Sequence, residues 1–284
     1  MRFVASALAA LVLLVLASIQ LVASLAVRNR AVAGSWLSFV PPAAAARVER
    51  LDPALPLPSP LRLLLARRAL QDGDLALASR WIVLLPPSRD RSSLEGGLAE
   101  ANGDALAAAR GYLAADDLSG VERLIAGAER RGDPDGALAL QSEVVGRLRA
   151  DRTQSDTLAE AYYRLGLLEE EASWRLPVGD ARRRADELHA KKAYDGALVL
   201  APFSQRYLIA AASQELNLGD LDAAAREYAR ARNADPASSV ALVGLGEVAL
   251  RRGDVAGAGA WLARARAIDP TGPAVLRLAH KLER

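Results

Sequence analysis

His189 and His280 are the only imidazoles in the 284-residue chain, and about ninety positions separate them. Neither has a second histidine or a carboxylate at a recognised ligand spacing, so no metal site is expected. General acid–base work needs a partner within hydrogen-bond reach, and the sequence supplies none at either histidine. Glu187-Leu188-His189 reads instead as the surface of a helix. Cysteine is absent, which removes disulfides and thiolate ligands. Asp133-Pro134-Asp135-Gly136 has the letters of a calcium loop but lacks the earlier aspartate and the closing bidentate glutamate. Arg-Gly-Asp at Arg131–Asp133 and Arg252–Asp254 invites an adhesion reading, yet both copies sit where a turn already requires Gly and Asp. With no phosphate-binding loop either, no catalytic residue, no cofactor and no enzymatic activity are expected.

The elements around these residues carry more information. Gly-Asp recurs at Gly73-Asp74, Gly103-Asp104, Gly132-Asp133, Gly179-Asp180, Gly219-Asp220 and Gly253-Asp254, each time between two segments of helical apolar period. Glycine ends one helix in the left-handed conformation, and aspartate caps the free N–H groups of the next. These corners predict hairpins over about 61–85, 90–115, 118–149, 154–200, 203–233 and 237–267, followed by a capping helix at about 272–283.

The last two hairpins repeat each other. Gly219 falls on Gly253, Asp220 on Asp254, Ala224 on Ala258, Tyr228 on Leu262, Ala231 on Ala265 and Pro236 on Pro270, every pair 34 residues apart. Alanine permits close helix approach, the larger residue fills the space between, and proline stops the second helix. This period and pattern resemble the tetratricopeptide repeat, a family of stacked helical hairpins. The resemblance implies an all-α fold, a right-handed superhelical stack of antiparallel hairpins, whose work is to bind proteins. It is strong over 201–284, read as two repeats plus a cap. It weakens over 61–200, where Ala78, Ala108 and Ala137 keep the close-approach position in degenerate hairpins.

By the family pattern, the first helix of each hairpin lines a concave groove. That places Arg206, Ile209, Ser213 and Asn217 of the fifth hairpin there, with Val243, Glu247 and Arg251 of the sixth. Ile209 and Ser213 stand where some chaperone-binding members carry a carboxylate clamp, so a C-terminal carboxylate ligand is not implied; an amphipathic helix or extended peptide is. The fourth hairpin is longer than its neighbours and is expected to project, with Glu170, Trp174 and Arg183 near its tip as a second contact candidate. There the acidic run Glu169–Glu171 is expected to face the basic run Arg182–Arg184.

Phe3 to Val27 carries no charge, which predicts a transmembrane anchor, or an uncleaved signal, over 1–28. Pro41, Pro42, Pro53, Pro56, Pro58 and Pro60 make 29–60 a stiff linker. Together these predict a single-pass protein of a bacterial inner membrane, with the repeats on the extracytoplasmic side. The first sixty residues hold five arginines against two acids, and the remainder is balanced at 31 basic to 32 acidic, so nucleic acid is disfavoured as a partner. The functional expectation is a membrane-anchored scaffold that binds a partner protein at the cell envelope. Two alternatives are a permanent subunit of a larger membrane complex and a repeat protein that carries a lipid or other ligand.

Overall fold

The computed structural model describes residues 17–18, 59–151 and 155–283. From residue 59 onward the described chain forms thirteen α-helices and no strand: α1 (Ser59–Gln71), α2 (Leu75–Val83), α3 (Arg89–Ala101), α4 (Ala105–Ala114), α5 (Leu118–Arg130), α6 (Pro134–Asp151), α7 (Ser155–Trp174), α8 (Ala181–Leu200), α9 (Gln205–Leu218), α10 (Leu221–Ala234), α11 (Ser239–Arg251), α12 (Val255–Ile268) and α13 (Pro273–Leu282).

All six Gly-Asp corners fall between consecutive helices, with the glycines at φ from 70° to 94°. Five of the following aspartates donate their backbone N–H to the carbonyl five residues back, as Asp74 does to Ala69 at 2.8 Å and Asp220 to Glu215 at 2.9 Å. This bond satisfies a carbonyl that the ending helix leaves free. The same aspartates cap the next helix through their side chains: Asp74 accepts from Leu77 N, Asp104 from Ala107 N, Asp133 from Gly136 N, Asp220 from Ala223 N and Asp254 from Gly257 N, all at 2.8–3.0 Å. One dipeptide thus ends one helix and starts another.

A corner of the same build joins α4 to α5 without glycine. Asp116 takes φ 60°, Asp117 N donates to Tyr112 O at 2.8 Å, and Asp117 Oδ1 accepts from Gly120 N at 3.0 Å. The Ser119 hydroxyl is the main cause holding the Asp117 carboxyl below its usual range. Left-handed backbone strains any residue with a Cβ, although aspartate tolerates it better than alanine. Asp116→Gly is therefore expected to be about 1 kcal/mol more stable than Asp116→Ala in urea denaturation. Equal stability of the two variants would show that the corner stores no strain.

The chain divides into two compact units between Leu124 and Ile125, within α5. In the first, α1 packs on α2 and α3, α2 on α3, and α3 on α4, around Leu61, Leu65, Leu77, Trp81, Ile82 and Leu94. In the second, α6 to α13 pack each on the next, and α9 also touches α11, as α11 touches α13. Contact between successive first helices, besides the contacts within hairpins, is the signature of stacking. Alanine makes the close approaches: Ala78, Ala108, Ala137, Ala224 and Ala258 are all fully buried. The terminal helix α13 buries Val275, Leu278 and Ala279 against Leu242, Val243 and Leu262, closing the end of its unit.

What this architecture supports is an all-α arrangement of helical hairpins within each unit, with no transmembrane helix preceding it among the described residues. No helix among the described residues is long and apolar enough to cross a membrane. The expected anchor Phe3–Val27 lies outside the described residues apart from Ala17 and Ser18, as does the linker up to residue 58. The membrane as a partner, the single-pass topology and the inner-membrane location all rested on that segment, and with no spanning helix found they are corrected out of the account.

Candidate functional site

The first helices α9 and α11 touch in the second unit, and between them they carry all seven of the expected groove residues. Each has a different environment. Arg206 is exposed but engaged: its Nη2 donates to Glu160 on α7, and its guanidinium lies 4.5 Å from the Tyr163 ring centroid and 5.2 Å from that of Tyr207. Tyr207 Oη also donates to Glu160, at 3.0 Å. Arginine over two tyrosine faces gains cation–π attraction while its edge remains open to solvent.

Further along the helices, Ser213 hydrogen-bonds the Tyr228 hydroxyl, whose pKa burial pushes up to about 12. Charges on Glu247 and Arg251 of α11 and on Glu170 of α7 also act on that hydroxyl. Glu247 receives Lys281 Nζ at 2.9 Å, and Arg251 Nη1 donates to Leu216 O at 2.6 Å, satisfying a carbonyl in the last turn of α9. Asn217 is exposed, and its side chain makes no hydrogen bond among the described residues.

Two expected groove residues are mainly packing residues. Val243 is 5% exposed and belongs to the core that α13 closes, so it offers a ligand nothing. Ile209 is half-buried, packed against the clusters that hold Leu208, Ala212 and Tyr228.

The fourth hairpin is the long one. α7 and α8 each run 20 residues against 14 for α9 and α10, which adds roughly 9 Å per helix at 1.5 Å per residue. Near its tip Trp174 is 62% exposed, beside the exposed Val178. Glu170 and Arg183 are not free: Glu170 accepts from Tyr194 Oη at 2.9 Å with its carboxyl pushed up by burial, while Arg183 binds Glu187 at 3.0 Å and Leu176 O at 3.3 Å. The ion pairs of the acidic and basic runs do not cross the hairpin. Glu171 pairs with Arg175, Arg182 with Asp180, and Arg183 with Glu187, each within its own helix or cap.

Sequence reading missed one constellation. Glu169 of α7 meets Asp186 and His189 of α8, with one ligand atom from each lying within 4.8 Å of the others. Asp186 and His189 are three residues apart and share a helix face. That spacing alone is unspecific; the third residue arrives only through the pairing of α7 with α8.

A tetratricopeptide repeat family model matches residues 209–273, which spans α9 to α12. Among solved structures the chain is similar to YrrB, a TPR protein with an unusual peptide-binding site, at 16% identity over 79% of this chain and 92% of that one, TM-score 0.46. It is likewise similar to TTC0263, a thermophilic TPR protein of Thermus thermophilus, at 16% identity over 77% and 100%, TM-score 0.45. A third likeness is to PilF of Pseudomonas aeruginosa, at 13% identity over 78% and 96%, TM-score 0.44. No curated protein matches the chain. The matched repeats and the helical hairpins are consistent with a non-enzymatic scaffold of generic protein-binding type.

Proposed function

We propose that the surface formed by α9 and α11 binds a peptide segment of a partner protein, as an amphipathic helix or an extended strand. The observation that carries this reading is the pairing of two first helices that offer Arg206, Ser213, Asn217, Glu247 and Arg251 on adjacent surfaces, with polar groups that still have unused valence. Arg206 brings an open guanidinium edge over two tyrosine faces, and Asn217 a free amide; both suit a peptide backbone or an acidic side chain. Val243 takes no part, being sealed under α13.

Site-specific photo-crosslinking distinguishes this surface from the rest of the unit. A photoreactive residue at Asn217 is expected to capture a partner polypeptide in the native host, whereas the same residue at Arg226, exposed on the second helix α10, is not. Capture from position 226 and none from 217 would transfer the site to the opposite face. A second reading attaches to the tip of α7 and α8, where the exposed Trp174 and Val178 form the kind of apolar anchor that interfaces favour. Crosslinking from position 178 rather than 217 would select it.

A further inference from the structure

The long hairpin keeps the packing pattern of its neighbours but displaces it. In α10 the buried Ala224 follows Gly219 by five residues and Tyr228 by nine; in α8 the matching Ala190 and Tyr194 follow Gly179 by eleven and fifteen. Six residues have entered between the corner and the packed pair. Glu169, Asp186 and His189 lie in or beside that added stretch, between the packed base of the hairpin and its tip.

The carboxylates of this hairpin fall into two groups. Asp156, Glu160, Glu170, Glu171, Asp180, Glu187 and Asp195 each hold a cation or a hydroxyl. The side chains of Glu169 and Asp186 make no hydrogen bond among the described residues, although that of Glu169 is only 12% exposed. Arg182, one turn before Asp186 on the same helix, hydrogen-bonds Asp180 and acts on Asp186 only by charge at longer range. What Glu169 meets is His189, its Nδ1 3.9 Å from Oε2. Burial first, and then Asp186, push the Glu169 carboxyl up, while His189 acts the other way. Two carboxylates, one of them largely covered, thus lie together with no lysine or arginine hydrogen-bonded to either, and with an imidazole nitrogen at their edge.

We propose that Glu169, Asp186 and His189 form a binding site for a divalent first-row transition ion. Imidazole nitrogen with two carboxylate oxygens suits zinc and its neighbours, whereas magnesium and calcium favour sites built from oxygen alone. Ligand bonds of about 2.0–2.2 Å leave donor atoms roughly 3.4 Å apart, so a spread within 4.8 Å closes by side-chain rotation with both helices in place. Three protein ligands leave a fourth position for water or for a donor from outside the chain. Bound there, the ion ties α7 to α8 above their packed base and stiffens the part of the hairpin that presents Trp174 and Val178. The site is independent of the peptide surface on α9 and α11.

The test is zinc titration of the purified full chain, free of any affinity tag and stripped with chelator, followed by calorimetry and by thermal unfolding. One zinc per chain and a rise in Tm are expected. His189→Ala and Asp186→Asn should each weaken zinc at least about tenfold, since even the loss of an outer-shell partner costs that much. The His189 side chain is 63% exposed, so the metal-free Tm of His189→Ala should match that of the parent. His280→Ala should bind zinc as the parent does. Absence of zinc binding, or binding that His189→Ala and Asp186→Asn both retain, overturns the proposal.

Discussion

Replacing Gly111 by leucine is expected to separate α3 from α4 and to abolish hydrogen-exchange protection across residues 89–114. The two helices meet backbone to backbone: a Cβ on Gly111 would lie 2.5 Å from Gly96 N, 2.6 Å from Gly96 Cα and 3.0 Å from Ser92 O. None of these is the end of a side chain that can swing aside. The helix must shift as a body, and that shift unseats Tyr112, whose ring lies 3.0 Å from the Cβ position of Gly96 and whose hydroxyl donates to Glu100. Even Gly111→Ala is expected to lose about 1–2 kcal/mol, because overpacking costs roughly 1–3 kcal/mol while alanine returns up to about 1 kcal/mol of helix propensity. Leucine adds three carbons in the same place and should exceed about 3 kcal/mol. Gly146 is the control. It is exposed within α6 with nothing within 4 Å of its Cβ position, so Gly146→Ala should stabilise by about 0.5–1 kcal/mol. If Gly111→Leu retained parental protection in α3 and α4, the backbone contact would not be holding the hairpin.

Features that one residue type decides by itself were readable in the sequence. A glycine followed by a capping aspartate needs no knowledge of the rest of the chain, and all six such corners fall between helices. The corner at Asp116 escaped notice because aspartate occupies the left-handed position, and its sequence looks like an ordinary acidic pair. The groove residues were harder. Helical periodicity puts Val243 on the same helix as Glu247 and Arg251, but whether it faces a ligand depends on where α13 lands, and α13 lands on it. The membrane expectation was drawn from apolar length alone, in a segment that contributes no spanning helix to the described structure. At the long hairpin, Asp186 and His189 stand three apart, a spacing too unspecific to have been read as a ligand pair. Glu169 joins them only because six residues were added to each of α7 and α8, and no local pattern specifies that register.

The same register sets the other large effect. Tyr194 is fully buried, its ring filling the space left by Gly166, where a Cβ would come within 2.4 Å of it. Tyr194→Ala is expected to cost about 3–5 kcal/mol, the usual range for truncating a buried aromatic, and to lower the Tm of the unit by roughly 10 °C. Tyr194→Phe isolates the hydroxyl. It keeps the packing but leaves the Glu170 carboxylate buried without its donor, at a cost of about 1–3 kcal/mol. The pH dependence separates the two losses. Burial raises the Glu170 pKa above its ordinary 4.5, and the Tyr194 hydroxyl opposes that rise, so removing the hydroxyl raises it further. A carboxyl with a raised folded-state pKa binds more protons folded than unfolded, so stability falls as pH climbs from the unfolded value through the folded one. The deficit of Tyr194→Phe relative to the parent should therefore be smallest below about pH 4, where Glu170 is protonated in both states, and should grow toward pH 7. Adding Glu170→Gln should flatten that growth, because an amide does not titrate. A deficit that stayed constant across this range would mean that the hydroxyl contributes only through packing and that Glu170 draws its support from elsewhere.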